Sequence, residues 1–222
     1  MSLILNIDTA QENAFVAIAK DGICIGSKTN LHQKEHASFL HPAIEELLNT
    51  TGLKMTDIDA FAVTKGPGSY TGIRVGLSSA KGFCYATKKP LIALNSLEVL
   101  ASEMRHQIAN QQALICPMID ARRMEVFTAV YNANLTEVMS PCALVLDAHA
   151  FETMLEKNII YFSGNGAEKF KSLTHTDHAQ FIETANWIHS MCQLSHIQFV
   201  QNCFDDLVVS DPLYIKEHQT LQ

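Results

Sequence analysis

Two histidines and a glutamate, His32, Glu35 and His36, form the H-x-x-E-H pattern of inverted zinc peptidases. On a helix this spacing would place both imidazoles on one face, with the glutamate available as a general base. The pattern lies at or before the predicted start of a helix, however, and no third ligand is predicted nearby. We therefore favour an ordinary connecting segment here, and we predict no metal-binding residue in the chain.

A second set of residues follows predicted strands and is typical of nucleotide sites. Asp8, with Thr9 after it, and Asp120 each lie at the end of a strand, and Gly164 and Gly166 belong to a glycine turn after another strand. Carboxylates at strand ends can hold Mg²⁺, which in turn binds phosphate, and a glycine turn can approach an adenine ring. The aspartates could equally cap the turns that follow them. These five residues are the candidates for nucleotide binding.

The most distinctive segment runs from Thr64 to Gly76 and reads TKGPGSYTGIRVG. It lies between a predicted strand and a predicted helix, where backbone amides can bind an anion. It lacks the phosphate P-loop pattern, so a structural turn is the favoured interpretation. In the helix that follows, Gly72, Gly76 and Ala80 are four residues apart. This stripe could pack closely against a partner helix or against the chain's own sheet, and the spacing leaves both open.

Hydrophobic periodicity predicts the elements that position these residues. The predicted order in the first half is three strands, helix, strand, helix, strand, helix, and the order returns after the polar stretch 107–112. In the second half the third strand is predicted near 135–139 and the last helix near 184–200. We therefore predict an α/β protein of two lobes, 1–106 and 107–222, with mixed sheets flanked by helices in an actin-like arrangement. A single irregular α/β sheet is the alternative.

Composition and charge limit the function classes. The chain has 222 residues and a net charge of −7, whereas a protein that binds nucleic acid alone needs a basic face. A role with RNA would therefore require a more basic partner. The six cysteines form no C-x-x-C pair and lie mostly in apolar runs, which favours buried thiols in a reducing compartment. The N-terminus does not resemble a leader, and no apolar run would cross a bilayer, so we expect a cytoplasmic protein without membrane contact.

The segment GPGSYTGIRVG at 66–76 resembles the signature of the TsaB (YeaZ) family, which is part of the glycoprotease superfamily. The resemblance continues in ILNIDT at 4–9, DARRMEVF at 120–127 and DPLYI at 211–215, and it is dense over residues 1–127. It implies an actin-like (ASKHA, ribonuclease H-like) fold. It also implies a partner protein of the transferase TsaD and of TsaE, which form N6-threonylcarbamoyladenosine at position 37 of transfer RNAs reading ANN codons.

The resemblance further implies that this chain is catalytically silent. TsaD carries two metal-binding histidines in a His-x-x-x-His pattern, and the corresponding positions here are Ser96 and Leu100. Leucine cannot bind a metal, and a lone serine is a poor ligand. The nucleotide pocket is implied to be degenerate, so no cofactor is required, while weak ATP or ADP binding stays open. The alternatives are a glycoprotease-type metallopeptidase and an actin-like small-molecule kinase.

A partner interface is predicted on two helices of the first lobe, one from about Lys34 to Leu48 and one after the glycine turn. It would serve a homodimer when the chain is alone and a heterodimer with TsaD, and transfer RNA would be reached only through the complex. The C-terminal tail is expected to be able to pack back on the first lobe. The predicted interface residues are Phe39, Leu40, Ile44, Gly72, Arg74, Gly76 and Ala80.

Overall fold

The computed structural model describes residues 1–32, 35–184 and 186–215. These residues form two compact units, each built on a five-stranded sheet. The first unit comprises Met1–Ser96 and Trp187–Leu213, and the second comprises Leu97–Asn186 together with Tyr214 and Ile215, in each case as far as these residues are described. Within the described ranges, no helix combines the length and the apolar character needed to span a membrane.

The first unit contains a mixed sheet with the strand order β3-β2-β1-β4-β5. Its strands are β1 (Leu3–Asp8), β2 (Ala14–Lys20), β3 (Ile23–Asn30), β4 (Ala60–Thr64) and β5 (Leu91–Leu94). The pairs β1–β2 and β2–β3 are antiparallel, and the pairs β1–β4 and β4–β5 are parallel. The central strands β1 and β4 are buried almost throughout, as expected for strands covered on both faces, whereas burial alternates along the edge strand β3.

Two helices complete the N-terminal part of this unit. Helix α1 (His36–Thr51) packs on β2 and β3 through apolar residues at helical spacing, and it ends where Gly52 adopts a left-handed conformation. Helix α2 (Tyr70–Thr87) packs on β4, β1 and β5, and the Ser69 hydroxyl caps its first turn by accepting a hydrogen bond from the Gly72 amide.

The second unit repeats this topology with the strand order β10-β9-β6-β7-β8. Its strands are β6 (Leu114–Asp120), β7 (Glu125–Tyr131), β8 (Glu137–Val145), β9 (Ile160–Ser163) and β10 (Ala179–Phe181). Helix α3 (Ser96–Gln107) precedes these strands, and α4 (Glu152–Leu155) and α5 (Ala167–Lys171) lie between β8 and β9 and between β9 and β10. Phe151, Phe162 and Phe170 lie in its core, with ring centroids 5.0 to 5.5 Å apart. The predicted order of elements, occurring twice, is confirmed.

The last helix, α6 (Ile188–Val200), belongs to the first unit, because it packs on β1, β2, β3 and β5. This division differs from the predicted boundary between residues 106 and 107. The chain passes to the second unit at Leu97, near the start of α3, and returns to the first unit at Trp187. Sequence order alone placed the final helix with the second lobe, whereas its apolar residues pack on the first sheet.

The small-residue stripe of α2 faces the sheet of its own unit. Gly72, Gly76 and Ala80 are buried within the chain. A Cβ atom on Gly72 would lie 1.9 Å from the carbonyl oxygen of Thr9, and one on Gly76 would lie 2.5 Å from Thr9 Oγ1 and 3.3 Å from a methyl group of Val63. The stripe therefore packs internally, which corrects the prediction that these three residues face a partner helix.

This packing predicts opposite effects for two glycines of the same helix. Gly76→Ala should lower the free energy of unfolding by roughly 1–3 kcal/mol, because its methyl group would force Thr9 and the helix apart. Gly82 is exposed and has no atom near its Cβ position, so Gly82→Ala should raise the free energy of unfolding by about 0.5–1 kcal/mol through helix propensity. Urea unfolding of the wild type and both variants measures the two changes in the free energy of unfolding. Equal effects at the two positions would contradict internal packing of the stripe.

Candidate functional site

Asp8 lies at the end of the central strand β1 and is buried. Its carboxylate is contacted by three donors. Oδ1 accepts hydrogen bonds from the Ala10 amide at 2.9 Å and from Thr64 Oγ1 at 2.7 Å, and Oδ2 accepts one from the Trp187 indole nitrogen at 2.6 Å. Thr64 ends β4, and Trp187 immediately precedes α6. The carboxylate therefore joins two strands and the start of a helix.

Burial of Asp8 also controls its protonation. Loss of solvent raises the pKa of its carboxyl group, and this effect is larger than the opposing effects of the hydrogen bonds from Trp187, Thr64 and Ala10 and of the nearby His36. Both carboxylate oxygens are already engaged by protein donors. These hydrogen bonds give Asp8 a structural role, because they join β1, β4 and the start of α6.

The segment 64–76 is held against the end of β1 by its own backbone. Thr9 Oγ1 donates to the Gly72 carbonyl oxygen at 2.6 Å, and the Ser69 amide donates to the Ala10 carbonyl oxygen at 2.7 Å. Gly68 has φ 155°, and a Cβ atom there would lie 2.1 Å from the Ala10 carbonyl oxygen. The amides of Ser69 and Gly72, at the start of α2, thus have partners within the chain.

Asp120 and the glycine turn lie in the second unit and are also engaged internally. Asp120 Oδ1 accepts a hydrogen bond from Lys169 Nζ at 2.7 Å and one from the Arg122 amide, and the Asp120 amide donates to Asn165 Oδ1 at 2.8 Å. Lys169 Nζ also donates to the Glu125 carbonyl oxygen at 3.0 Å. The Asp120 carboxylate is therefore neutralised by a lysine of its own unit.

Gly164 and Gly166 are required by the close approach of their turn to β6 and β7. Gly164 has φ 99°, and a Cβ atom on it would lie 2.2 Å from the Met118 carbonyl oxygen. A Cβ atom on Gly166 would lie 2.8 Å from a methyl group of Val126. Packing thus accounts for both glycines without a bound adenine.

The structure brings Asp8 and Thr9 together with Thr64 and the segment 64–76, and it brings Asp120 together with the glycine turn. Sequence reasoning missed Trp187, whose indole completes the first of these networks. It is the only tryptophan in the chain, and that rarity was the one signal available.

The H-x-x-E-H pattern does not form a metal site in the described part of the chain. Helix α1 begins at His36, which is buried with Nε2 3.1 Å from the Gln11 carbonyl oxygen, while His32 precedes the helix and is exposed. Residues 33 and 34, between His32 and Glu35, lie outside the described residues. The imidazoles therefore do not share a helix face, and no three His, Cys, Asp or Glu side chains of the described residues are grouped as metal ligands.

The positions that correspond to the transferase histidines have structural roles. Ser96 begins α3, and its amide donates to the Gly66 carbonyl oxygen at 2.9 Å. Leu100 is buried, and its Cδ2 lies 2.9 Å from where a Cβ atom of Gly164 would be. The second of these two positions is therefore filled by an apolar side chain that packs in the protein interior.

Of the predicted interface residues, two remain at the surface. Leu40 and Ile44 are buried in the core of the first unit, which corrects their assignment to a partner interface, since α1 turns them toward its own sheet. Phe39 is half-buried, and Arg74 is exposed with its guanidinium carbon 4.0 Å from the centroid of the Tyr70 ring.

These two residues belong to a larger exposed surface on α1 and α2. His41 Nε2 lies 3.2 Å from Ser79 Oγ and bridges the helices, and the Tyr85 side chain is 72% exposed. We call this the α1–α2 outer surface. Its residues are Phe39, His41, Tyr70, Arg74 and Tyr85.

Comparison with known proteins gives a family and a fold. The model of the family described as "TsaD: tRNA N6-adenosine threonylcarbamoyltransferase" matches residues 28–217. The tRNA threonylcarbamoyladenosine biosynthesis protein TsaB of Bacillus subtilis (strain 168) is 34% identical over 173 residues, which are 77% of this chain and 74% of that protein.

Two solved structures share the fold. YeaZ from Pseudomonas aeruginosa has a TM-score of 0.78 and 23% identity over 96% of this chain and 100% of that one. The inorganic polyphosphate/ATP-glucomannokinase from Arthrobacter sp. strain KM has a TM-score of 0.53 and 10% identity over 91% of this chain and 100% of that one. The predicted α/β actin-like fold with two mixed sheets is confirmed.

The buried carboxyl of Asp8 should make stability depend on pH. Because its pKa is raised on folding, its contribution is present in acid and is lost as the pH rises through the folded-state pKa. Asp8→Asn cannot ionise, so the free energy of unfolding of the wild type relative to Asp8→Asn should fall as the pH rises. Urea unfolding from about pH 4 to pH 8 measures this difference.

Trp187→Phe provides the matched control for this experiment. It keeps the carboxyl group but removes the indole donor that lowers the pKa of Asp8, so the loss of stability should extend to higher pH. Parallel curves for the wild type and Asp8→Asn would show that Asp8 has the same pKa in the folded and unfolded chain.

Proposed function

The chain belongs to the TsaB (YeaZ) family of the glycoprotease superfamily, and from this membership we propose that it acts in the biosynthesis of threonylcarbamoyladenosine in transfer RNA. We propose further that it is a non-catalytic subunit of the complex that modifies adenosine 37 of transfer RNAs reading ANN codons. Its partners would be a TsaD-type transferase and TsaE, and its site of action the cytoplasm. The match of the family model and the identity with the Bacillus subtilis protein confirm the family assignment made from residues 66–76.

One observation carries the non-catalytic proposal: the two candidate nucleotide-binding carboxylates, Asp8 and Asp120, are engaged by other groups of the protein. Asp8 accepts hydrogen bonds from three donors of its own unit, and Asp120 is paired with Lys169. Phosphoryl transfer needs metal-binding carboxylates that substrate and metal can reach. Leu100 is buried at a position where the transferase resemblance implies a metal-binding histidine. These contacts support a silent subunit over the kinase and metallopeptidase alternatives.

We propose the α1–α2 outer surface as the site that binds the transferase, and a second copy of the chain when the transferase is absent. Tyr70, Arg74 and Tyr85 supply tyrosine and arginine, the residue types most enriched among energetically important interface residues. The net charge of −7 makes this chain poorly suited to bind RNA, which supports a complex in which the partner supplies the RNA contacts.

The isolated chain should neither modify transfer RNA nor hydrolyse ATP at an enzyme-like rate. Threonylcarbamoyl-adenylate and transfer RNA should yield the modified nucleoside only after a TsaD-type transferase and TsaE are added, because the proposed complex assigns catalysis to the transferase. Mass spectrometry of digested transfer RNA measures the product. Formation of the product by this chain alone would disprove catalytic silence, and no dependence of the complete reaction on this chain would disprove its role as a subunit.

Arg74→Glu should weaken binding of the transferase at least tenfold without changing the melting temperature, since Arg74 is exposed and lies outside the core. Lys157→Glu, which makes the same change of charge at an exposed position of the second unit, should leave binding unchanged. Isothermal titration with the purified transferase compares the two. If both variants bind as the wild type does, the interface lies elsewhere; if both bind weakly, the effect is one of net charge.

A further inference from the structure

Residues 206–210, after α6, form a turn with two exposed apolar side chains, which we call the C-terminal turn. Val208 is 85% exposed and Val209 is 72% exposed. Turn positions open to water typically hold glycine, proline, asparagine, aspartate or serine, whereas the β-branched side chain of valine favours strands. Neither valine belongs to the core of the first unit. Both side chains are therefore available to a partner.

Three contacts hold the C-terminal turn on the first unit. Asp205, which precedes the turn, accepts a hydrogen bond at Oδ2 from the Ala93 amide of β5 at 2.8 Å. Leu207, within the turn, packs against the core. On the other side of the valines, Lys81 Nζ of α2 donates to the Ser210 carbonyl oxygen at 2.7 Å. The turn is thus fixed to the unit both before and after its exposed valines.

Hydrogen bonds within the C-terminal turn also fix its shape. Asp206 Oδ1 accepts hydrogen bonds from the amides of Val208 at 2.6 Å and Val209 at 3.4 Å. The Ser210 amide donates to the Asp206 carbonyl oxygen at 3.0 Å. Because the backbone is already ordered and valine has few rotamers, a partner that binds these side chains loses little conformational entropy.

The C-terminal turn borders the α1–α2 outer surface. Helix α2 is bridged to α1 at Ser79 and to the turn at Lys81. At about 100° per residue, these two positions lie about 200° apart around the axis of α2. Arg74 and Tyr85 lie between them on the side that faces away from the core. The outward face of α2 therefore has α1 on one side and the C-terminal turn on the other.

We propose that the C-terminal turn is part of the site that binds the transferase, and that Val208 and Val209 enter an apolar recess on that partner. This inference rests on the proposed function and extends the binding site from two helices to a third element. Specific interfaces bury about 800 Å² and involve roughly 20–30 residues on each partner, which is more than the α1–α2 outer surface supplies. A partner seated on that surface must therefore contact neighbouring elements, and the turn presents exposed apolar side chains beside it.

A transferase fits the C-terminal turn better than a second copy of the chain does. In a two-fold symmetric pair of copies the same patch contacts itself, so the turn would meet the α1–α2 outer surface of the other copy. The exposed tyrosines, histidine and arginine of that surface present polar groups, which match two valines poorly. A different protein is not restricted to this surface and can supply an apolar recess.

The test replaces both valines by threonine, which keeps the β-branched shape and exchanges a methyl group for a hydroxyl group. Isothermal titration with a purified TsaD-type transferase should show that the Val208→Thr, Val209→Thr double variant binds at least tenfold more weakly than the wild type, because an apolar recess leaves the hydroxyl groups without partners. Its melting temperature should not change, since both side chains are exposed. The control carries Val138→Thr and Val145→Thr, at exposed positions of β8, and should bind as the wild type does.

Each other outcome overturns the proposal in a distinguishable way. If the double variant binds as the wild type does while Arg74→Glu binds weakly, the α1–α2 outer surface stands and its extension to the turn is wrong. A lower melting temperature of the double variant would show that the valines serve the fold. If light scattering shows that only self-association is weakened, the turn binds a second copy and not the transferase. Failure of the wild type to bind the transferase would contradict the proposed function as well.

Discussion

The structure of the first unit depends on one steric constraint, the absence of room for side chains around Thr9. The connection between β4 and α2 approaches the end of β1 so closely that Cβ atoms at Gly68 and Gly72 would lie 2.1 and 1.9 Å from backbone oxygens of Ala10 and Thr9. A third glycine, Gly76, lies against Thr9 Oγ1. The segment that identifies the family is therefore explained by packing, and its glycines need no ligand to account for them.

This close approach fixes the start of α2 against the end of β1. Once α2 is fixed against β1, Thr64 at the end of β4 reaches the carboxylate of Asp8, and Trp187 reaches it from the start of α6. α1 lies beside α2 on the same unit, bridged to it by the contact between His41 and Ser79. The inward faces of both helices are thus committed to the unit's own core. The partner site that we propose therefore lies on their outward faces, where the exposed aromatic and arginine side chains lie.

Sequence reasoning predicted the helices and strands well because each has its own hydrophobic periodicity. It could not determine which elements pack against one another. A small residue at every fourth position defines a stripe on α2, yet the spacing is the same whether the stripe faces a sheet or a partner. Likewise the last helix was identified, but its packing on the first sheet depends on contacts distant in sequence. The strand predicted near 135–139 instead runs from Glu137 to Val145, and it tolerates Pro141 because β8 is an edge strand.

The candidate site shows the same limit, because residue types at strand ends do not reveal what they contact. An aspartate at the position of Asp8 indicates a metal ligand in one setting and a structural acceptor in another. Here three donors, from Ala10, Thr64 and Trp187, converge on it, and each would be left buried without an acceptor if the residue were apolar, at about 1–3 kcal/mol apiece. Asparagine offers only one acceptor oxygen and would set its amide group against one of those donors. Only a carboxyl group offers acceptor oxygens to both sides of this convergence. The demand is large enough to keep an aspartate at the end of β1 without a bound metal or phosphate, so its presence alone indicates the fold and does not indicate a reaction.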